Sequence, residues 1–196
     1  RKAYFEGTAI EIHKASDKRV DPVCEHFGTC GGCKWQHMGY DHQLFFKQKE
    51  IENNLSRIGK VALPDITPIL GSKEQYFYRN KMEFSFSDSK WLTLQQIKGD
   101  TIITDKNALG FHIPGMWDKI LNLNKCHLQK DPSNAIRDFI KKTAEKLEIP
   151  FFNTRNQTGI LRTLMLRTSS TGELMVLLQL FAEDKLKRVA LLDAIY

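Results

Sequence analysis

A chain of 196 residues, 41% hydrophobic and 27% charged, is long enough for one sizeable core plus an appendage. No run approaches the roughly 18 apolar residues that a membrane helix needs, and Arg1-Lys2-Ala3-Tyr4-Phe5 lacks the apolar stretch of a signal peptide, so a soluble, cytoplasmic monomer without a membrane partner is expected. The net charge of +6 favours a polyanionic partner, a signal diluted by 23 acidic residues.

The chain starts without an initiating Met. Alternation of Tyr4, Phe5, Thr8, Ile10 and Ile12 with Glu6, Ala9, Glu11 and His13 predicts a strand whose sheet partners are missing, so the chain reads as a fragment. Residues 14–22 carry no apolar periodicity and mark a hinge. A loop follows with the spacing Cys24-x5-Cys30-Gly31-Gly32-Cys33. Leu44, Phe45, Gln48, Ile51, Glu52, Leu55 and Ile58 then fall at helical spacing, with Asp41 as the expected N-cap and Gly59 as the stop. Pro64 and Pro68 punctuate an extended linker over 61–72, where Ile66, Ile69 and Leu70 can pack as a short edge strand.

Strands are predicted over 76–87, 91–97, 108–113 and 118–121, with turns at Lys98-Gly99-Asp100 and Pro114-Gly115. A second helix opens at Pro132-Ser133 and runs to Leu147 with Ile136, Phe139, Ile140, Ala144 and Leu147 as its apolar stripe; Pro150 stops it. Residues 161–168 and 173–180 flank Ser169-Ser170-Thr171-Gly172 as a hairpin, and a last helix begins near Glu183. The fold class is α+β: an antiparallel sheet with helices on one face and a cysteine-loop lobe at its N-terminal side.

Three thiols within ten residues, with Cys126 far downstream, suit a metal or cluster that takes three ligands from a loop and a fourth from elsewhere. Zn(Cys)4, a 2Fe-2S centre and a 4Fe-4S centre all accept four cysteines, and the even count leaves disulfides open. Zinc ribbons usually bring two C-x2-4-C knuckles, whereas this layout is three plus one and leans toward iron-sulfur. His26, His37 and His127 compete as ligands but read as surface or hydrogen-bonding imidazoles. Gly31 and Gly32 permit a tight turn and let backbone amides donate to sulfur.

The stretch Cys24-Glu25-His26-Phe27-Gly28-Thr29-Cys30-Gly31-Gly32-Cys33-Lys34-Trp35-Gln36-His37, followed by Tyr40, Gln43 and Lys47-Gln48, resembles the cluster loop of the bacterial RNA uracil-C5 methyltransferases. Tyr78-Arg79-Asn80-Lys81-Met82-Glu83-Phe84-Ser85, Leu109-Gly110-Phe111-His112, Cys126 with Leu128, and the segment from Leu161-Arg162 to Leu177 follow in the order of that family's central domain. The resemblance implies a 4Fe-4S cluster on Cys24, Cys30, Cys33 and Cys126, in an enzyme that uses S-adenosylmethionine to form 5-methyluridine in 23S ribosomal RNA. It implies that residues 1–20 end a TRAM-like β-barrel, 21–60 carry the cluster loop and helix, and 61–196 form the central RNA-binding domain. The family's Rossmann domain, with the donor site and the catalytic cysteine, would lie beyond this chain, so the chain alone is expected to be inactive.

RNA contacts are expected from Arg79, Lys81, Phe111 and His112, with Phe111 stacking on a base; Arg162 and Arg167 are further phosphate candidates, and Trp35 and Gln36 are expected to pack over the cluster. A zinc-dependent RNA-binding module, an iron-sulfur electron carrier and a tRNA methyltransferase are the competing readings.

Overall fold

The computed structural model describes residues 5, 7–99 and 103–196. They form two units. One holds the described residues up to Val23 together with Trp35–Gly71, and the other holds Cys24–Lys34 and Ser72–Tyr196.

In the first unit, α1 spans Tyr40–Asn53. Its cap is Gly39, whose carbonyl accepts from the amides of His42 and Gln43, so Asp41 sits in the first turn instead of capping it. One π-helical turn, Asn54–Ile58, carries the helix to Gly59, the predicted stop. Gln43 Nε2 donates to the carbonyls of Trp35 and Met38, and Gln48 Oε1 accepts from the amide of Ile69. The edge strand expected over 61–72 does not form, because Pro64 and Pro68 have no amide to give a ladder, and Leu70 is left exposed. Nor is there a strand over the described part of 4–13, where Phe5, Ile10 and Ile12 are exposed; Tyr4 and Glu6 lie outside the described residues.

The second unit is built on five antiparallel strands: β1 (Lys81–Ser87), β2 (Ala108–Ile113), β3 (Met116–Asn122), β4 (Leu161–Thr168) and β5 (Leu174–Leu180), in the order β3-β2-β1-β4-β5. The strand predicted over 76–87 starts only at Lys81. Upstream, the amides of Phe77 and Arg79 donate to the carbonyls of His127 and Leu128, and Phe77 takes a φ of 57° that ends extended backbone. The strand expected at 91–97 is instead a short helix, α2 (Leu94–Lys98). Thr93 and Gln96 cap it reciprocally, each side chain accepting from the other's amide. Asp100, part of the turn expected next, lies outside the described residues.

Helices α3 (Ser133–Lys146) and α4 (Lys185–Ile195) complete the unit, the latter capped by Asp184, whose side chain accepts from the amide of Lys187. Alternation sorts the sheet into two faces. Met82, Phe84, Phe86, Leu109, Leu164 and Leu166 share one core with Ile140 and Ala144 of α3 and Leu191 of α4. Each such large apolar side chain contributes about 1.5–3 kcal/mol by leaving water. On the opposite face Lys81, Glu83 and Ser85 pair with Arg167, Met165 and Thr163, which pair in turn with Met175, Leu177 and Gln179. These residues are exposed or half-buried, so this face of the sheet is open.

Candidate cysteine centre and nucleic-acid face

The second unit gathers all four cysteines, each with a free thiol. Cys126 is buried and the other three are half-buried. Burial pushes the thiols of Cys24, Cys30 and Cys126 up, and the charge on neighbouring cysteines adds to the shift. Among the described residues no group of three or more His, Cys, Asp or Glu is drawn together so as to hold a metal ion.

The loop is shaped by the carbonyl of His26, which accepts from the amides of Thr29 and Cys30, and by Gly28, whose φ of 86° is the one left-handed turn among the loop glycines. Gly31 and Gly32 lie in a turn, as expected, and Gly31 also permits close approach. A Cβ on Gly31 would meet the carbonyl oxygen of His112 at 3.0 Å, and one on Gly32 would meet Cys30 Sγ at 3.4 Å. The amide of Gly32 donates to Cys30 Sγ at 3.3 Å, which is the amide-to-sulfur bond expected of this loop.

Two side chains of α3, not anticipated from sequence, anchor the remote cysteine. Asn134 pairs with the backbone of Cys126, accepting from its amide at 2.8 Å and donating to its carbonyl at 3.1 Å. Arg137, only 1% exposed, donates to the carbonyl of Asn124 and to Asn134 Oδ1, pairs with Asp138, and lies 5.5 Å from the ring centre of Phe84. Its charge favours the thiolate of Cys126. The expected apolar stripe is therefore displaced: Arg137 faces inward while Phe139 is half exposed. His26, also buried, accepts at Nε2 from the amide of Asn124, and its pKa is lowered chiefly by burial. That bond ties the loop to the segment leading to Cys126. His127 packs edge-on to Tyr76 and tilted against Phe77.

The residues expected to touch RNA are divided by the fold. Lys81 and His112 lie exposed on the open sheet face, Lys81 paired with Glu83 at 2.9 Å and directly across from Arg167. Arg79 is exposed just before β1. Phe111 departs from the expectation: it points to the helical side, half-buried, with its ring 5.4 Å from Phe84 and next to Gly32, so it packs the core. Trp35 belongs to the first unit, where Lys47 Nζ lies 5.5 Å from its ring centre. A feature missed in the sequence is exposed Trp117, which has Arg155 stacked 5.8 Å from its centre; Asp118 holds that guanidinium.

No family model matches the chain. An uncharacterized RNA methyltransferase of Bacteroides thetaiotaomicron is 50% identical over 90% of this chain and 39% of its own length, and one of Porphyromonas gingivalis is 44% identical over 100% and 43%. The chain is similar to one part of these RNA methyltransferases. It spans about two fifths of the curated relatives it matches. Among solved structures, Pyrococcus abyssi tRNA (uracil-54, C5)-methyltransferase in complex with S-adenosyl-L-homocysteine superposes with a TM-score of 0.60 and 26% identity, over 92% of this chain and 37% of that one. That likeness is consistent with the RNA m5U methyltransferase family. No helix among the described residues is long and apolar enough to cross a membrane.

Proposed function

We propose that the chain is the iron-sulfur and RNA-recognition part of a cytoplasmic, S-adenosylmethionine-dependent methyltransferase that forms 5-methyluridine in 23S ribosomal RNA. What supports this is a loop of three free thiols lying in the same unit as Cys126, in a chain half identical to an RNA methyltransferase. The donor set fits a polynuclear cluster: four free thiols, an amide already donating to one sulfur, and a buried guanidinium that offsets thiolate charge. The 4Fe-4S cluster, when bound, supplies a structural tie between the loop and Cys126.

The test is methyl transfer from labelled S-adenosylmethionine by the full-length protein to 23S ribosomal RNA or to tRNA. Label is expected as 5-methyluridine in ribosomal RNA, and none with the 196-residue chain alone. The rival substrate is tRNA, favoured by the superposition on a tRNA enzyme; label confined to tRNA would establish it. On the RNA face, Lys81→Ala and Arg79→Ala are expected to weaken binding across all sequences. Each should flatten the plot of log affinity against log salt by about 0.7 for every phosphate that the missing charge had neutralised. An unchanged salt slope would remove these residues from the interface.

A further inference from the structure

A hollow of about 350 Å³ is lined by Ser85, His112, Arg162, Thr163 and Gln179 on the open face of the sheet, with Thr154 and the apolar Phe86, Ile120 and Phe152 completing it. Resting on the RNA-recognition reading above, we infer that this hollow takes a single unpaired nucleotide of the RNA. Its volume lies near the lower end of the roughly 300–1,000 Å³ typical of small-molecule sites, and no carboxylate lines it.

The sheet register builds the floor. Gln179, Thr163 and Ser85 stand in one cross-strand row over β5, β4 and β1, and Gly110 of β2 continues it without a side chain. An added Cβ at Gly110 would fall 2.0 Å from the carbonyl oxygen of Leu121, so this end of the row must stay bare. A register irregularity between Leu161 and Thr163 marks the position of Arg162. Its guanidinium is braced 5.0 Å from the ring centre of Phe152 and 5.9 Å from that of Phe181. None of Ser85, His112, Arg162, Thr163 and Gln179 makes a side-chain hydrogen bond or ion pair with the described residues.

The chemistry of this set is that of a nucleotide. An amide and two hydroxyls offer both donors and acceptors to the edge of a base. The imidazole of His112 offers a stacking face. The flat, braced guanidinium, with its fork unoccupied, matches a phosphate.

The experiment is fluorescence anisotropy of the protein with labelled single-stranded octamers of A, C and U, alongside thermal melting. Gln179→Ala is expected to weaken binding about tenfold on the preferred octamer and to level the preference among the three. Arg162→Ala is expected to weaken all three about tenfold. Gln179 is exposed on an edge strand, so its replacement should leave the melt unchanged. If Arg162→Ala melts early, Arg162→Lys, which keeps the charge but not the fork, replaces it and should show the same weakening. Wild-type affinity and preference in folded Gln179→Ala and Arg162 variants, with Lys81→Ala weakened, would overturn the pocket and leave the RNA-binding face standing. No RNA binding by the wild-type protein would overturn both.

Discussion

Arg137→Ala is expected to cost about 3–5 kcal/mol of folding stability, measured by urea denaturation. The guanidinium fills space beside Phe84 and donates to Asn124 and Asn134, the residues that flank and clasp the segment of Cys126. Truncation leaves a cavity and removes charged hydrogen bonds together. Arg137→Met keeps most of the packing volume but none of the donors, so it should recover only the cavity part of the loss. A loss below about 1 kcal/mol in Arg137→Ala would show that the buried guanidinium does not hold this region.

Cys126→Ser is expected to remove the iron bound per chain and to lower stability as well. Anchors of the loop in this unit include the His26 to Asn124 bond and packing of Cys30 and Cys33 on the core. A ligand bound only in the folded state adds its binding free energy to stability. Without it, thiols that burial already pushes toward the protonated form lose the metal that would keep them ionised. Anaerobic iron analysis and denaturation on one preparation check both effects. Full iron and an unchanged midpoint in Cys126→Ser would take Cys126 out of the site.

Elements with a strong local pattern could be read from the sequence. The 161–180 hairpin, α3 and β2 form close to where periodicity and turn residues place them. Expectation and structure part where local signals compete. Thr93 and Gln96 spell a capping box, yet Trp91 and Ile97 suggest a strand, and the caps win. Residues 76–79 look β-prone, but Phe77 and Arg79 give their amides to the 127–128 segment. That the loop cysteines share a unit with Cys126 could be proposed from spacing; the roles of Asn134 and Arg137 could not. An arginine on a helix reads as solvated, and only the rotation of α3 fixed by packing turns it inward. Phe111 goes astray for a related reason: alternation along β2 allows either face, and its pairing with β1 decides it.

What Cys24, Cys30, Cys33 and Cys126 bind decides between an iron-sulfur enzyme part and a zinc module. Anaerobic purification followed by iron, acid-labile sulfide and zinc analysis of the same sample addresses this directly. About four irons and four sulfides per chain are expected, with no stoichiometric zinc. One zinc and no sulfide would contradict the iron-sulfur assignment and make the four cysteines a zinc site.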